Sequence, residues 1–133
     1  MDAEQLKSIC LAMPGSFEDF PFGPEASVFK VRVPGGGAAK MFALSVLAAR
    51  PLAVSLKCEP VLAEQLRAAH PEITPAYHMS KKHWNGVVCD AGLDDGSIRD
   101  LIEDSYDLVV ASLPRRGREA LGWQRIVQAG TDG

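Results

Sequence analysis

Three segments of the chain carry apolar residues at the three- and four-residue spacing of an amphipathic helix. The first follows Asp2, which can cap it, and Gln5 three residues later completes the pattern of a capping box. The second begins at Pro60, a residue suited to the first turn of a helix, and is expected to end near Ala69. The third is expected over residues 97–113. The pattern therefore predicts three helices, one near each end of the chain and one in its middle.

Alternation of apolar and polar residues, the period of a half-buried strand, predicts four strands. Their expected ranges are 27–33, 40–47, 52–57 and 84–90. The first three follow one another closely, with a turn at residues 34–37, so they are expected to form an antiparallel meander. The aromatic and proline-rich residues 17–24 are expected to form an ordered loop. Helices beside an antiparallel sheet predict an α+β fold in which the sheet packs against the helices.

Length and composition fit one domain. The chain has 133 residues, of which 47% are hydrophobic, enough for a core of its own. We expect this domain to cover residues 1–123 and residues 124–133 to form a disordered tail. The net charge is −3 and the isoelectric point is about 5.6, whereas dedicated nucleic-acid binders are usually basic. Because charges act over roughly 8 Å in cellular salt, a local basic patch is not excluded.

The cysteines and the N-terminus indicate the cell compartment. Cys10, Cys58 and Cys89 are odd in number and far apart, which fits neither a disulfide framework nor a zinc motif. The N-terminus lacks the basic region and apolar run of a signal peptide. The longest apolar stretch, residues 41–49, is too short to span a bilayer. These features predict a cytoplasmic protein with reduced thiols and no membrane association.

The signature segment, residues 75–85, is the densest group of polar and aromatic side chains. It holds two histidines, two lysines, two large aromatic residues and an amide. Lys81 and Lys82 can meet phosphate groups as point charges, with Asn85 as an amide donor. Tyr77 or Trp84 can stack on a nucleic-acid base. The segment therefore predicts binding of a polar or anionic ligand.

The same residues also have less specific interpretations. Lys81 and Lys82 can be solvated without contacting a ligand, and a tryptophan such as Trp84 is more often packed in a core than exposed. His78 and His83 are five residues apart, whereas paired metal-binding histidines on a helix are spaced by four, so no metal or cofactor is expected. Either histidine can act as a general base, but no nucleophile is marked as its partner. A binding protein is therefore favoured over an enzyme.

Several short stretches stand out in a fixed order along the chain. They are Phe20-Pro21-Phe22-Gly23-Pro24, Val28-Phe29-Lys30, Lys40-Met41-Phe42-Ala43-Leu44, Leu56-Lys57-Cys58-Glu59-Pro60, Pro75-Ala76-Tyr77-His78-Met79, Lys82-His83-Trp84-Asn85, Leu101-Ile102, Ser105-Tyr106 and Leu108-Val109-Val110. In these stretches the chain resembles the MmcQ/YjbR family, over nearly its whole length to about Arg118. Ser80 and Gly86 depart from the family pattern, which favours asparagine and a small hydroxyl residue there. The resemblance implies a frataxin-like two-layer sandwich with a double-wing DNA-binding arrangement.

Two further charged clusters lie toward the C-terminus. An acidic stripe on the third predicted helix comprises Asp100, Glu103, Asp104 and Asp107. A frataxin-like fold makes an iron-binding ridge conceivable there, but a solvated helix face is the favoured interpretation. A basic cluster comprises Arg115, Arg116 and Arg118. It either extends a basic patch or complements the dipole at the end of that helix, and the second interpretation is slightly favoured.

Three functions remain open on the sequence. The first, implied by the resemblance, is a small DNA-binding protein that contacts the backbone through the signature segment. Its predicted binding residues are Tyr77, His78, Lys81, Lys82, His83, Trp84 and Asn85. The second is a small-molecule-binding protein or an enzyme, in which residues 20–24 pack over His78 and Trp84 to line a pocket. The third is a protein-interaction module with an exposed apolar patch. A monomer is favoured in each case.

Overall fold

The computed structural model describes residues 1–33 and 37–122. In these ranges the helices are α1 (Ala3–Leu11), α2 (Pro60–Ala69), α3 (Asp95–Ala111) and α4 (Arg115–Leu121). The strands are β1 (Ser16–Asp19), β2 (Ser27–Val31), β3 (Lys40–Ser45), β4 (Ala53–Lys57), β5 (Ile73–Pro75) and β6 (Trp84–Val88).

The strands form one antiparallel sheet in the order β1-β2-β3-β4-β6-β5. The first four strands follow one another in chain order, so the predicted meander of β2, β3 and β4 is confirmed. The chain then passes through α2 and β5 before β6 pairs with β4, which leaves β5 at the edge. The predicted α+β architecture, an antiparallel sheet packed against helices, is confirmed.

The core lies between the sheet and the helices α1, α2 and α3. Tyr106 on α3 meets Phe42 on β3 edge to face, with ring centroids 5.3 Å apart, a favourable aromatic geometry. The Ser105 hydroxyl donates to the Phe42 carbonyl at 2.6 Å and accepts from the Lys57 N–H at 2.8 Å. These bonds tie α3 to two central strands. Other fully buried core residues are Leu6, Phe29, Leu52, Ile98 and Ile102.

Local sequence signals set the starts of the first three helices. Asp2 Oδ1 accepts from the Gln5 N–H at 2.8 Å and Gln5 Oε1 accepts from the Asp2 N–H at 2.9 Å, which confirms the predicted capping box. The helix α2 has the predicted limits, with Pro60 in its first turn. The helix α3 begins earlier than predicted because Asp94 caps it, accepting from the Ser97 N–H at 2.7 Å. Hydrogen bonds from the Ser97 side chain and backbone lower the pKa of Asp94.

Both edge strands are missing from the sequence-based prediction. The strand β1 overlaps the start of the segment 17–24, which was expected to be a loop, and all four of its residues are half-buried. The strand β5 has only three residues; it follows Pro71 and ends at Pro75. An edge strand pairs on one side only and is often short or interrupted by proline, so its sequence carries little alternation.

The helix α4 corrects the interpretation of the basic cluster. Its glycine, Gly117, disfavours a helix in the sequence. Arg115 begins α4 instead of completing the end of α3, so the predicted role at the α3 C-terminus is wrong. The Arg115 guanidinium pairs with Glu119 at 3.1 Å, within the same helix. The cluster therefore belongs to a separate helix, where its first turn gains nothing from the helix dipole.

Two expectations fall largely on residues that the structure does not describe. The predicted turn at 34–37 is described only at Gly37, and the predicted tail at 124–133 lies outside the described residues. Among the helices of residues 1–33 and 37–122, none combines the length and apolar character needed to cross a bilayer.

The cysteines allow a first test of this fold. All three are free and buried, and burial raises the pKa of Cys10 to about 12 and that of Cys89 to about 11. Because the thiolate is the reactive form, we expect a disulfide reagent such as DTNB to react slowly with native protein at neutral pH. Cys58, the most exposed at 8%, is expected to react first. Denatured, unreduced protein should give all three thiols, and a protected pair would contradict this expectation.

Candidate functional site

The sheet has a second face, turned away from the helices. Directly opposed residues of antiparallel strands point to the same face, and the register aligns Leu44, Ser55 and Gly86 across β3, β4 and β6. Along β4, the neighbours Val54 and Leu56 belong to the core. The row through Ser55 therefore lies on the face opposite the core.

Two loops border this face and form a cleft between them. The β1–β2 loop contributes Phe22 and Ala26, and the β5–β6 loop contributes residues 76–80. The sheet supplies the remaining lining residues, Met41, Leu44, Ser55 and Trp84. The cleft has a volume of about 590 Å³, within the roughly 300–1,000 Å³ of typical ligand sites.

Aromatic and sulfur-containing side chains dominate the lining. Phe22 is 69% exposed and Tyr77 is 68% exposed, although each is a large apolar or amphipathic ring. Met41 and Met79 add flexible, polarizable side chains that adapt to different shapes. Exposed rings in a concave site suit a ligand with a flat apolar group, because covering them removes apolar surface from water.

The β5–β6 loop is fixed by its own hydrogen bonds and by two neighbouring elements. The Trp84 N–H donates to the Ser80 carbonyl at 2.9 Å, and the Ala76 N–H donates to the Trp84 carbonyl at 3.1 Å. From α2, the Arg67 guanidinium donates to the Lys81 carbonyl at 2.8 Å. These bonds hold the loop in one conformation, so its side chains are positioned before any ligand arrives.

The signature segment places one cation, Lys81, at the edge of the cleft. Lys81, Lys82 and His83 are exposed, and the Lys81 ammonium lies 5.3 Å from the centroid of the Tyr77 ring. Neither lysine forms an ion pair with a carboxylate among residues 1–33 and 37–122. Lys30 differs, since it contacts Asp19 at 2.7 Å, and this hydrogen bond lowers the pKa of Asp19. The two lysines are therefore available to an anionic ligand.

The structure corrects the prediction for Asn85. This residue is opposite Leu56, a core residue, so its side chain points toward α2. It is 2% exposed, and its amide nitrogen donates to the Ala63 carbonyl through a long bond of 3.5 Å. Asn85 is thus a buried structural residue, and the expected contact with a nucleic-acid backbone is wrong.

The interpretation of Trp84 as a core residue also needs correction. Trp84 is half-buried and lies opposite Lys57 on the face that carries the cleft. Its ring therefore forms part of the cleft lining. Tyr77 and His78 are exposed and lie on the same cleft, together with Phe22 from the proline-rich loop. The structure thus brings together two segments that are more than fifty residues apart in the sequence.

A β-bulge explains why the sequence does not reveal the strand residues of the cleft. The register between β2 and β3 shifts at Phe29 and Lys30. As a result Phe42 and Ala43 are both buried in the core, although they are adjacent in the chain. Met41, on the cleft side, precedes this pair. Strict alternation would place Met41 and Ala43 on one face, so the sequence pattern gives the wrong face for part of β3.

The acidic stripe lies on the other layer. The helix α3 packs on the core side of the sheet, opposite the cleft. Within the described residues, no cluster of three or more histidine, cysteine or carboxylate side chains is arranged to hold a metal ion. All four acidic residues, Asp100, Glu103, Asp104 and Asp107, take part in interactions within the protein.

Comparison with known proteins identifies the family. A model of the YjbR family matches residues 11–108. The chain belongs to the YjbR family. It is 37% identical to YbdF of Escherichia coli O157:H7 over 116 residues, which cover 87% of this chain and 90% of that protein. It is 34% identical to YjbR of Escherichia coli K12 over 121 residues, covering 91% and 98%.

Solved structures agree with this assignment. The crystal structure of Deinococcus radiodurans protein DR2400 has a TM-score of 0.84 and 38% identity, covering 92% of this chain and 89% of that one. A crystal structure of a Pseudomonas syringae protein has a TM-score of 0.68 and 30% identity, covering 81% and 98%. The YjbR match includes both loops of the cleft and ends before the arginines of α4.

Proposed function

We propose that this YjbR-family protein binds nucleic acid through the cleft on the exposed sheet face and acts in the cytoplasm. One observation carries the proposal: exposed aromatic rings line a concave site, and Lys81 at its edge has no carboxylate partner within the described residues, nor has the neighbouring Lys82. Proteins that bind nucleic acid on an open surface combine these two features, because rings stack on bases and ammonium groups neutralise phosphates. Three free thiols suit a reducing compartment.

The acidic net charge is compatible with this proposal because charges act locally in cellular salt. The acidic stripe lies on α3, which is in the helical layer. On the cleft side, the Lys81 ammonium contacts Tyr77, a lining residue of the cleft. Charges further apart than a Debye length, roughly 8 Å in the cell, are largely screened from one another. Screening therefore weakens the repulsion between a bound strand and the acidic stripe.

Fluorescence anisotropy with labelled oligonucleotides tests the proposal. We expect saturable binding at low salt that weakens as the salt concentration rises, because counterions compete for the phosphates. An unrelated protein of similar negative charge provides the baseline. Binding no tighter than this baseline at low salt would refute the proposal.

A small-molecule ligand is the second candidate. The concave shape of the cleft and its volume of about 590 Å³ favour it. Thermal unfolding of the protein in the presence of a panel of planar anionic compounds would test this candidate, since a bound ligand raises the unfolding temperature. A compound that stabilises the wild type, but not a Phe22→Ala variant, would support this candidate.

A further inference from the structure

We infer that the cleft takes an unpaired base, so that the nucleic acid bound by this protein is single-stranded. This inference rests on the proposed function and specifies its ligand. In a duplex the two faces of each base are covered by stacking, and only the backbone and the base edges reach a protein. An unpaired base exposes its flat faces and can enter a recess. The shape of the binding surface therefore distinguishes the two ligands.

The recess favours the unpaired base. The rings that line it belong to two loops and the sheet, and they surround a volume of about 590 Å³. A duplex lying across the two loops would leave Trp84 and Met41 on the sheet uncovered. A base that projects into the cleft covers them and stacks on Phe22 or Tyr77, which are 69% and 68% exposed. Binding of a single strand therefore removes more apolar surface from water.

The arrangement of Lys81 and Tyr77 supports the same conclusion. The Lys81 ammonium lies 5.3 Å from the Tyr77 ring centroid and occupies one face of the ring. The opposite face is left for a base. One loop thus offers a stacking surface and, beside it, a cation for a phosphate.

The small number of cations also disfavours a duplex. Duplex DNA carries one negative charge per about 1.7 Å of helix axis, and duplex binders commonly neutralise roughly 6–10 phosphates. The signature segment provides two lysines and two exposed histidines, and the sheet adds Lys57 opposite Trp84, which is fewer cations than that. Asp19 already pairs with Lys30 on β2. Stacking must therefore supply a large share of the affinity, and only unpaired bases can stack.

Three labelled probes of equal length test the inference: a single strand, a duplex of the same sequence, and an abasic single strand that keeps the phosphates. We expect the single strand to bind more tightly than the other two. Tyr77→Ala should weaken binding of the single strand by about 5- to 150-fold, the effect of losing one stacked base. Binding of the abasic strand should change by less than about threefold, since each phosphate contact remains.

Two control variants make the result specific. Tyr77→Phe keeps the ring and should retain most of the affinity for the single strand. Val61→Ala removes a 62% exposed apolar side chain on α2 and should leave all three affinities unchanged. Because Tyr77 is 68% exposed, its substitution is not expected to unfold the protein, which circular dichroism can verify.

The failure of this inference differs from the failure of the proposed function. Duplex binding as tight as single-strand binding, or an equal loss for the abasic and intact strands in Tyr77→Ala, would overturn the single-strand assignment and leave nucleic-acid binding in place. Absence of binding to all three probes would overturn both. Displacement of the strand by an equal concentration of a free mononucleotide would also overturn the single-strand assignment, since the cleft would then take a small molecule.

Discussion

Replacing Lys81 and Lys82 together by alanine is expected to reduce the salt dependence of nucleic-acid binding. Each phosphate that is neutralised contributes about 0.7 to the logarithmic salt slope on a single strand and about 0.9 on a duplex. Loss of two contacts should lower the slope by about 1.4 or about 1.8, respectively. A fourfold rise in salt concentration should then reduce the affinity of the variant about 7-fold less than that of the wild type on a single strand, and about 12-fold less on a duplex. Anisotropy titrations at two salt concentrations measure this difference.

The arginines of α4 provide a charge-matched control. The Arg115→Ala, Arg116→Ala double variant also removes two cations, and both residues are exposed. We expect its salt slope to equal that of the wild type. The loss of affinity in the Lys81, Lys82 double variant should be similar for different oligonucleotide sequences, because backbone contacts carry no base information. An unchanged slope in the lysine variant together with a lower slope in the arginine variant would move the binding site to α4.

Phe42→Ala is expected to have the largest effect on stability, because it removes a fully buried ring that meets Tyr106 edge to face in the core. Loss of a buried phenylalanine lowers the free energy of unfolding by about 3–5 kcal/mol. The matched control is Phe22→Ala, which makes the same chemical change on the cleft at a side chain that is 69% exposed. It should change the free energy of unfolding by less than about 0.5 kcal/mol. Urea denaturation, followed by far-UV circular dichroism, gives both values.

The pair also tests which face of the sheet carries the cleft. Similar losses of stability in both variants would mean that Phe22 is packed in a core, and the cleft would then not be open. A small loss in Phe42→Ala would contradict the bulge in β3, which is what places Phe42 and Ala43 together in the core. If the slope of the unfolding free energy against urea concentration equals that of the wild type, each variant keeps a wild-type denatured state.

The first three helices were the most predictable part of this fold because their signals are local, whereas α4 was missed. The capping box at Asp2 and Gln5 and the proline at the start of α2 act within one or two turns, and both appear in the structure as predicted. The strands β4 and β6 were predictable for the same reason, since their burial alternates over five residues and reflects one buried face. The strands β2 and β3 were also predicted, although their burial does not alternate strictly. Several family stretches in fixed order also identified the YjbR family correctly.

The candidate site was predictable only in part. The signature segment supplied Tyr77, His78 and Trp84, which line the cleft, and Lys81 at its edge. Asn85 was misplaced because its direction depends on its pairing with Leu56, a core residue of β4. Adjacent residues of a strand point to opposite faces, so if Trp84 faces the cleft, Asn85 must face the core. The sequence of the segment does not show which of the two faces of the strand is covered by helices.

The sequence by itself determined the first three helices, the central strands, the family and the segment most suited to ligand contact, because each depends on residues close together in the chain. Only the tertiary structure decided that the β1–β2 loop and the β5–β6 loop border one cleft, that Met41 and Ser55 line it, and that the acidic stripe lies on the opposite layer. These relations depend on strand order, on register and on one bulge in β3. Such pairings join residues far apart in the chain, and a shift of one residue in register exchanges the two faces of a strand.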